Sequence, residues 1–330
     1  MSGSNPVPLG GAAGGQEPIH PQPATPVEPP PARRSDLPAR LLTAAVLVPT
    51  VVWVIVLGGL AYLAVVIALI LLGQREIYGL IEDKGAHPLV GLGLAAGGAL
   101  PVVMYVGAEY HATILMTVTL LTVMVLQLGK AHVAEALASM SGTFFGVFYV
   151  GWLLSHAVVL RNIHRQVLFR FEEGAAAEIG LHPDSGIFLM IFTIAVVVLT
   201  DAGAYFAGRA YGQRKLAPRV SPSKTVEGAI GGLVTGVLGG FVFKGGFDLY
   251  WPEASAALPW GVALVFAFLV SVAGIVGDLI ESLLKRDARR KDAGTLLPGM
   301  GGVLDRIDSG LLGIPVMYYL FLFYVFARTA

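Results

Sequence analysis

Along this chain the apolar positions come in long blocks, unlike the period-2 alternation or narrow helical stripes of a soluble fold. Leu41–Leu72 is representative: apart from Thr, Pro, Trp, Tyr and Gly it is aliphatic throughout. Crossing about 30 Å of hydrocarbon at about 1.5 Å per residue takes roughly 20 apolar residues, so blocks of this length predict membrane-spanning α-helices. Nine blocks qualify, near 39–58, 60–80, 88–107, 110–128, 141–160, 185–207, 226–243, 259–281 and 310–328, with only Gly58-Gly59 separating the first two. The pattern therefore predicts an all-α, polytopic integral membrane protein with about nine transmembrane helices. Glycines recur inside the spans (Gly91, Gly93, Gly97, Gly98; Gly228, Gly231, Gly232, Gly236, Gly239, Gly240), where small residues let membrane helices approach closely.

Residues 1–38 contrast with the rest. They hold ten of the twenty prolines and almost no large apolar residue. Such a segment buries too little surface to offset its ordering entropy, which predicts a disordered, Pro/Gly-rich tail. It lacks the basic and apolar regions of a signal peptide. The helices then divide into an N-terminal set, 39–184, and a C-terminal region, 185–330, that carries most of the charge. With a cytoplasmic tail and nine helices, 17 of the 22 Lys and Arg residues fall on the cytoplasmic side. The positive-inside rule selects that orientation and predicts a multi-pass protein of the cell membrane. Arg161, Arg165 and Arg170 fall on the opposite side, accompanied by Glu172, Glu173 and Glu178; one reading of 161–184 is a small interfacial helix.

Composition supports the membrane reading: 55% of residues are hydrophobic and 13% charged, against about 25% charged in soluble domains. The absence of cysteine excludes disulfides, thiolate catalysis and Cys-ligated metals. Net charge is zero and points to no partner; no nucleic-acid partner is expected. The seven histidines form no HxxxH or HExxH, so no zinc site is expected, and His156 reads as hydrogen-bonded packing. Glu76, near the end of the second span, is left open between an interfacial and a lipid-site residue.

Two charged segments carry the candidate chemistry. The first, Asp201–Gly228, places Asp201 and Tyr205 on one helix face and continues through Arg209, Arg214, Lys215 and Arg219 to Ser221-Pro222-Ser223-Lys224-Thr225 and Glu227. Ser, Thr, Lys and free backbone N–H groups before a helix N-terminus suit phosphate oxygens, although no Walker loop is present; a basic anchor on anionic lipid headgroups explains the segment equally well. The second runs from Gly277 to Ser309. Asp278, Glu281 and Ser282 share a helix face at i, i+3 and i+4. Lys285, Arg286, Arg289, Arg290 and Lys291 follow, then a Gly/Pro-rich turn, then Asp305 and Asp308, again i, i+3. Four carboxylates flanking five cations suit Mg²⁺ with a polyphosphate, because hard oxygen ligands hold that ion. A solvated helix laced with ion pairs such as Asp287–Lys291 accounts for Asp287 and Asp292, but Asp278 and Glu281 extend a largely apolar run, where acids cost roughly 2.5–3.5 kcal/mol and mark functional sites.

At these residues the sequence resembles the phosphatidate cytidylyltransferase (CDP-diacylglycerol synthase) family. Ser282, Lys285, Arg286, Lys291 and Asp292 fall in step with its S-x-x-K-R-x(4)-K-D. Gly301, Gly302, Asp305, Arg306 and Asp308 match its G-G-x-x-D-R-x-D. Upstream, Asp201, Gly203, Ala204 and Tyr205, then Leu216, Pro218, Arg219, Ser221, Pro222, Lys224, Thr225, Glu227 and Gly228, resemble the family's other block. Two positions depart: Met300 stands where the family turn usually has His, and Val226 where Trp or Phe is frequent.

The resemblance implies transfer of a cytidylyl group from CTP to phosphatidic acid, a membrane lipid, with pyrophosphate leaving. It implies Asp278 and Asp305 at a Mg²⁺ centre, with Glu281 and Asp308 in support and a second, monovalent cation left open. Lys285 and Arg286 would act with them. Arg219, Ser221, Lys224, Thr225, Ser282, Lys291 and Arg306 would bind substrate, and a homodimer is allowed. Two other readings stand beside it. A polytopic transporter would suit Gly-rich helices and intramembrane acids, but no internal repeat is present and the charge lies in loops. A catalytically weak homologue is left open by Met300. The D-G-x-x-A-R pattern of CDP-alcohol phosphotransferases is absent.

Overall fold

The computed structural model describes residues 3, 48–107, 109–130, 135–172, 174–296 and 301–329. The expected tail, the start of the first span and Met300 lie outside these, and the described helices belong to the compact unit formed within 37–330. In chain order its elements are α1 (Val48–Leu57), α2 (Gly59–Glu82), α3 (Val90–Val106), α4 (Glu109–Leu128), α5 (Ala136–Gly146), a π-helical turn (Val147–Trp152), α6 (Leu153–Arg161), α7 (Ile163–Arg170), α8 (Ala175–Glu178), α9 (Ser185–Tyr211), β1 (Lys215–Ala217), β2 (Ser221–Thr225), α10 (Val226–Tyr250), α11 (Pro252–Ser255), α12 (Trp260–Asp287) and α13 (Leu304–Thr329).

Every predicted span coincides with a helix, so the chain is an all-α, multi-pass membrane protein. The expected count of nine is not reproduced: among the described residues seven helices are long and apolar enough to cross a bilayer. The α5–π–α6 helix counts as one of them. Two spans are shorter: α3 has 17 residues, and α1 is described only over Val48–Leu57. The break between α1 and α2 falls on Gly58 and Gly59, both at positive φ (63° and 58°), a conformation that glycine adopts without penalty.

The arginines expected off the basic side are bound within the protein. Arg161 Nε donates to the Ile55 carbonyl at 2.7 Å, satisfying the end of α1. Arg165 lies over the Tyr105 ring, 5.6 Å from its centroid, and Arg170 donates to the Tyr318 hydroxyl at 2.8 Å. Those contacts explain charge at that end of the bundle without a basic loop. The stretch holds α7 and α8, in keeping with the small-helix reading.

Close helix contacts set the C-terminal region. Helix α10 lies along α9, and α12 along α13. A Cβ on Gly232 would sit 2.7 Å from the Thr200 carbonyl oxygen, and one on Gly228 2.8 Å from that of Ala204; these glycines are therefore packing residues, as their frequency suggested. Thr200 Oγ1 donates to Ser271 Oγ at 2.8 Å and ties α9 to α12. Helix α13 also packs against α2 and α6, so its start is held from both halves of the chain.

Candidate active site

Three helix ends and one hairpin meet where the two charged sequence blocks converge. The first block is more ordered than a loop: β1 and β2 pair antiparallel, Lys215 opposite Thr225 and Ala217 opposite Ser221. Glu227 fixes the approach to this hairpin, accepting from the backbone N–H groups of Gln213 (3.0 Å) and Arg214 (3.1 Å) and from Arg214 Nε (3.0 Å). Backbone N–H groups expected to be free for phosphate are partly used: Val226 N donates to the Arg214 carbonyl at 2.9 Å. Thr225, expected to bind substrate, is the N-cap of α10; its buried Oγ1 accepts from Gly228 N at 3.1 Å. That bond satisfies an otherwise orphaned donor of the first turn. Ser221 is likewise buried, whereas Arg219 is exposed at the hairpin turn.

From this hairpin Lys224 reaches across to α12, its Nζ 2.6 Å from Asp278 Oδ2. Arg286 Nε points at the Val220 carbonyl from the same helix, at 3.4 Å. The two sequence blocks thus form one site. The residue before Asp278 makes the next contact possible. A Cβ on Gly277 would lie 2.6 Å from the Asp308 carbonyl oxygen and 3.3 Å from Ser309 Cα, so only glycine lets α12 and α13 cross here. That crossing brings Asp278, Glu281 and Asp308 together, one oxygen of each within 4.8 Å of the others.

The grouping differs from the expected one in its fourth member. Asp305 is occupied in building the turn before α13: Oδ2 accepts from Gly302 N at 2.7 Å and Ala293 N at 3.0 Å, and Oδ1 lies 2.6 Å from Lys285 Nζ. Gly301 takes φ +84°, and a Cβ there would lie 2.7 Å from Asp305 Oδ2, which explains the Gly-Gly pair. Lys285 also ion-pairs with Glu281 and so sits between Asp305 and the carboxylate trio. Glu281 is fully buried (0% exposed), with the Lys285 ammonium as its ion-pair partner. An ionised carboxylate in that state is costly unless cations stand beside it. Ser282 is half-buried one position further along α12, Arg306 is exposed at the start of α13, and Lys291 is exposed beyond the end of α12. Asp201, on α9, has Asp278, Lys224 and Arg306 as its charged neighbours; Tyr205 points away, 59% exposed, its hydroxyl accepting from Arg209 at 3.1 Å.

The ion pair anticipated between Asp287 and Lys291 does not form. Helix α12 ends at Asp287, and that carboxylate takes Lys84 at 2.8 Å instead. Glu76, left undecided by the sequence, proves to be part of the site's frame. Its carboxylate accepts from Val303 N (2.9 Å) and Leu304 N (2.7 Å), capping α13 from α2, and a Cβ on Gly294 or Gly302 would collide with it. With Lys84–Asp287 and Arg290–Asp83, the end of α2 braces the whole α12–α13 connection. No local sequence pattern marks Glu76, because its partners lie 227 and 228 residues away.

The multi-pass helical bundle gathers carboxylates and ammonium groups where α12, α13 and the hairpin meet, an arrangement able to hold a cation beside anionic ligands. The chain belongs to the cytidylyltransferase family, whose sequence profile matches residues 38–324. Among curated proteins it is similar to the phosphatidate cytidylyltransferase of Synechocystis sp., at 31% identity over 296 residues, covering 85% of this chain and 94% of that protein. It is also similar to the phosphatidate cytidylyltransferases of Bacillus subtilis (36% over 197 residues; 57% of this chain, 70% of that protein) and Brucella suis (48% over 136 residues; 41% of this chain, 47% of that protein).

Proposed function

We propose that this chain is a phosphatidate cytidylyltransferase that makes CDP-diacylglycerol and pyrophosphate from CTP and phosphatidic acid. One observation carries the reading: Lys224 meets Asp278 beside the Asp278–Glu281–Asp308 trio, so the family's two motif blocks form a single site at helix ends, where a lipid headgroup can enter from the bilayer. A transporter is not favoured, because the family and the position of the charge both point to chemistry on phosphates.

In the reaction an oxygen of the lipid phosphate bonds to the α-phosphorus of CTP as the bond from that phosphorus to the β-phosphate bridging oxygen breaks, and pyrophosphate carries away the electron pair. The nucleophile is already anionic at neutral pH, so no general base is required. The protein's task is to bring two anions together and to hold the charge that develops on the leaving group. Lys224 and Lys285 stand beside the trio at ion-pair distance and are placed to shift onto phosphate oxygens when substrate arrives. Arg219 on the hairpin turn, Arg286 on α12, Lys291 just beyond it and Arg306 on α13 are exposed and would serve as the outer cations. The donor set fits Mg²⁺: three carboxylates converge, one oxygen of each within 4.8 Å of the others. Asp278, Glu281 and Asp308 would hold the ion, and when bound it supplies positive charge to the reacting phosphates. Asp305 instead fixes Lys285 and the turn. The basic hairpin and α12–α13 connection face the cytoplasm in this reading, which is where CTP is found.

The test is incorporation of α-³²P-labelled CTP into extractable lipid by the purified protein with phosphatidic acid and Mg²⁺. Lipid labelling matched by pyrophosphate release is expected. Pyrophosphate release without labelled lipid would contradict the proposal.

A further inference from the structure

The π-helical turn Val147–Trp152 interrupts an otherwise continuous helix between α5 and α6. π-turns change the angular register of a helix and are frequent where a side chain is redirected for function. Two contacts fix this one. Its Val150 and the α13 residue Ile307 both line Gly73 of α2, where a Cβ would meet them at 3.1 and 3.3 Å. Its Gly151 lies against the Gly97 backbone, with 3.0 Å from a built Cβ to the Gly97 Cα. The turn therefore reaches the start of α13 from the N-terminal half of the chain.

The side chain this arrangement presents is Tyr149. It is 4% exposed, and its ring stacks on Phe145 at 5.1 Å between centroids. Its hydroxyl has no hydrogen-bond partner. A buried phenol normally finds one. The charged groups acting on that hydroxyl are Glu281, Asp308 and Asp278, the members of the trio. A buried phenol without a partner therefore stands in the field of the trio, whose Glu281 has Lys285 as its ion-pair partner.

We propose that the Tyr149 hydroxyl is a positioning group for the trio, donating a hydrogen bond to the Glu281 carboxylate when the three carboxylates close around a divalent cation. The donor would orient the Glu281 carboxylate toward the ion, as hydrogen-bond partners behind metal ligands do. This rests on the proposed Mg²⁺ site, so the test reads cation binding apart from turnover.

The variant is Tyr149→Phe, which keeps the ring and its stack and removes only the O–H. Mn²⁺ binding to the purified protein, followed by electron paramagnetic resonance without nucleotide or lipid, should weaken about tenfold, the lower end of what loss of such a partner does. The Mg²⁺ concentration for half-maximal turnover should rise in parallel, while KM for CTP at saturating Mg²⁺ stays as in the wild type. Unchanged Mn²⁺ affinity in a folded Tyr149→Phe protein would overturn the proposal, as would an equal loss in Phe145→Leu, which disturbs the stack and keeps the hydroxyl. A wild-type protein that binds Mn²⁺ but labels no lipid would contradict the proposed reaction and leave the Tyr149 comparison readable.

Discussion

Replacing Gly277 by alanine tests whether the crossing of α12 and α13 sets the chemistry. The added Cβ would lie 2.6 Å from the Asp308 carbonyl oxygen and 3.3 Å from Ser309 Cα. Both obstacles are backbone, so no side chain can rotate out of the way, and the helices must separate by roughly half an ångström. Overpacking of this kind costs about 1–3 kcal/mol of stability. The catalytic consequence is larger than the stability loss suggests, because Asp278 is the next residue on α12 and Asp308 belongs to the blocking backbone. A misplacement of about 1 Å costs on the order of 100-fold, so Gly277→Ala should lower kcat/KM by roughly tenfold to a hundredfold. Gly274→Ala is the control, one turn earlier on the same helix, where a Cβ meets Ser309 Cβ and Val197 only at 3.7–3.8 Å. Lipid labelling from CTP would be measured for both variants across a range of substrate concentrations, with thermal unfolding in detergent to confirm the folded state. Full turnover by Gly277→Ala would refute the claim that this contact positions the carboxylates.

Glu76→Ala should destabilise the start of α13, leaving the Val303 and Leu304 N–H groups without their acceptor at a cost of about 1–3 kcal/mol, and should raise the Mg²⁺ requirement of turnover. Glu76→Gln, which keeps an acceptor oxygen, should recover much of both, and equal loss in the two variants would count against the capping role. Thr225→Ala should lower stability by about 1 kcal/mol through loss of the α10 cap while KM for CTP is unchanged; a raised KM would return Thr225 to the substrate-binding group. Lys224→Ala removes the cation beside Asp278 and, at about 1.5–3 kcal/mol for a charged hydrogen bond, should raise KM for CTP by roughly tenfold or more. An unchanged KM would show that Lys224 serves the fold alone.

Much of this protein could be read before its structure. Spans are legible because the bilayer enforces long apolar blocks, and the helices α9, α10, α12 and α13 all fall on predicted ones. The candidate site was legible for the same reason: Asp278 and Glu281 continue an apolar run where an acid is costly. Choosing between Asp305 and Asp308 was not possible from spacing, since i, i+3 puts both on one face of α13. In the structure the turn at Gly301 and Gly302 draws Asp305 onto backbone N–H groups, while Asp308 joins Asp278 and Glu281. Thr225 illustrates a motif residue whose local role, capping α10, was masked by its place in a phosphate-like stretch. Glu76 and Tyr149 were out of reach altogether. Each acts on residues far away in the chain, and nothing in Phe145–Trp152 announces a π-turn.

The central claim is that Asp278, Glu281 and Asp308 form the centre of cytidylyl transfer. Its most direct test is a Mg²⁺ titration of lipid labelling from α-³²P-CTP, wild type beside Asp308→Asn. The account predicts Mg²⁺-dependent labelling by the wild type. For Asp308→Asn it predicts a loss on the order of 100-fold that excess Mg²⁺ does not restore. Wild-type turnover and an unshifted Mg²⁺ curve in Asp308→Asn would contradict it.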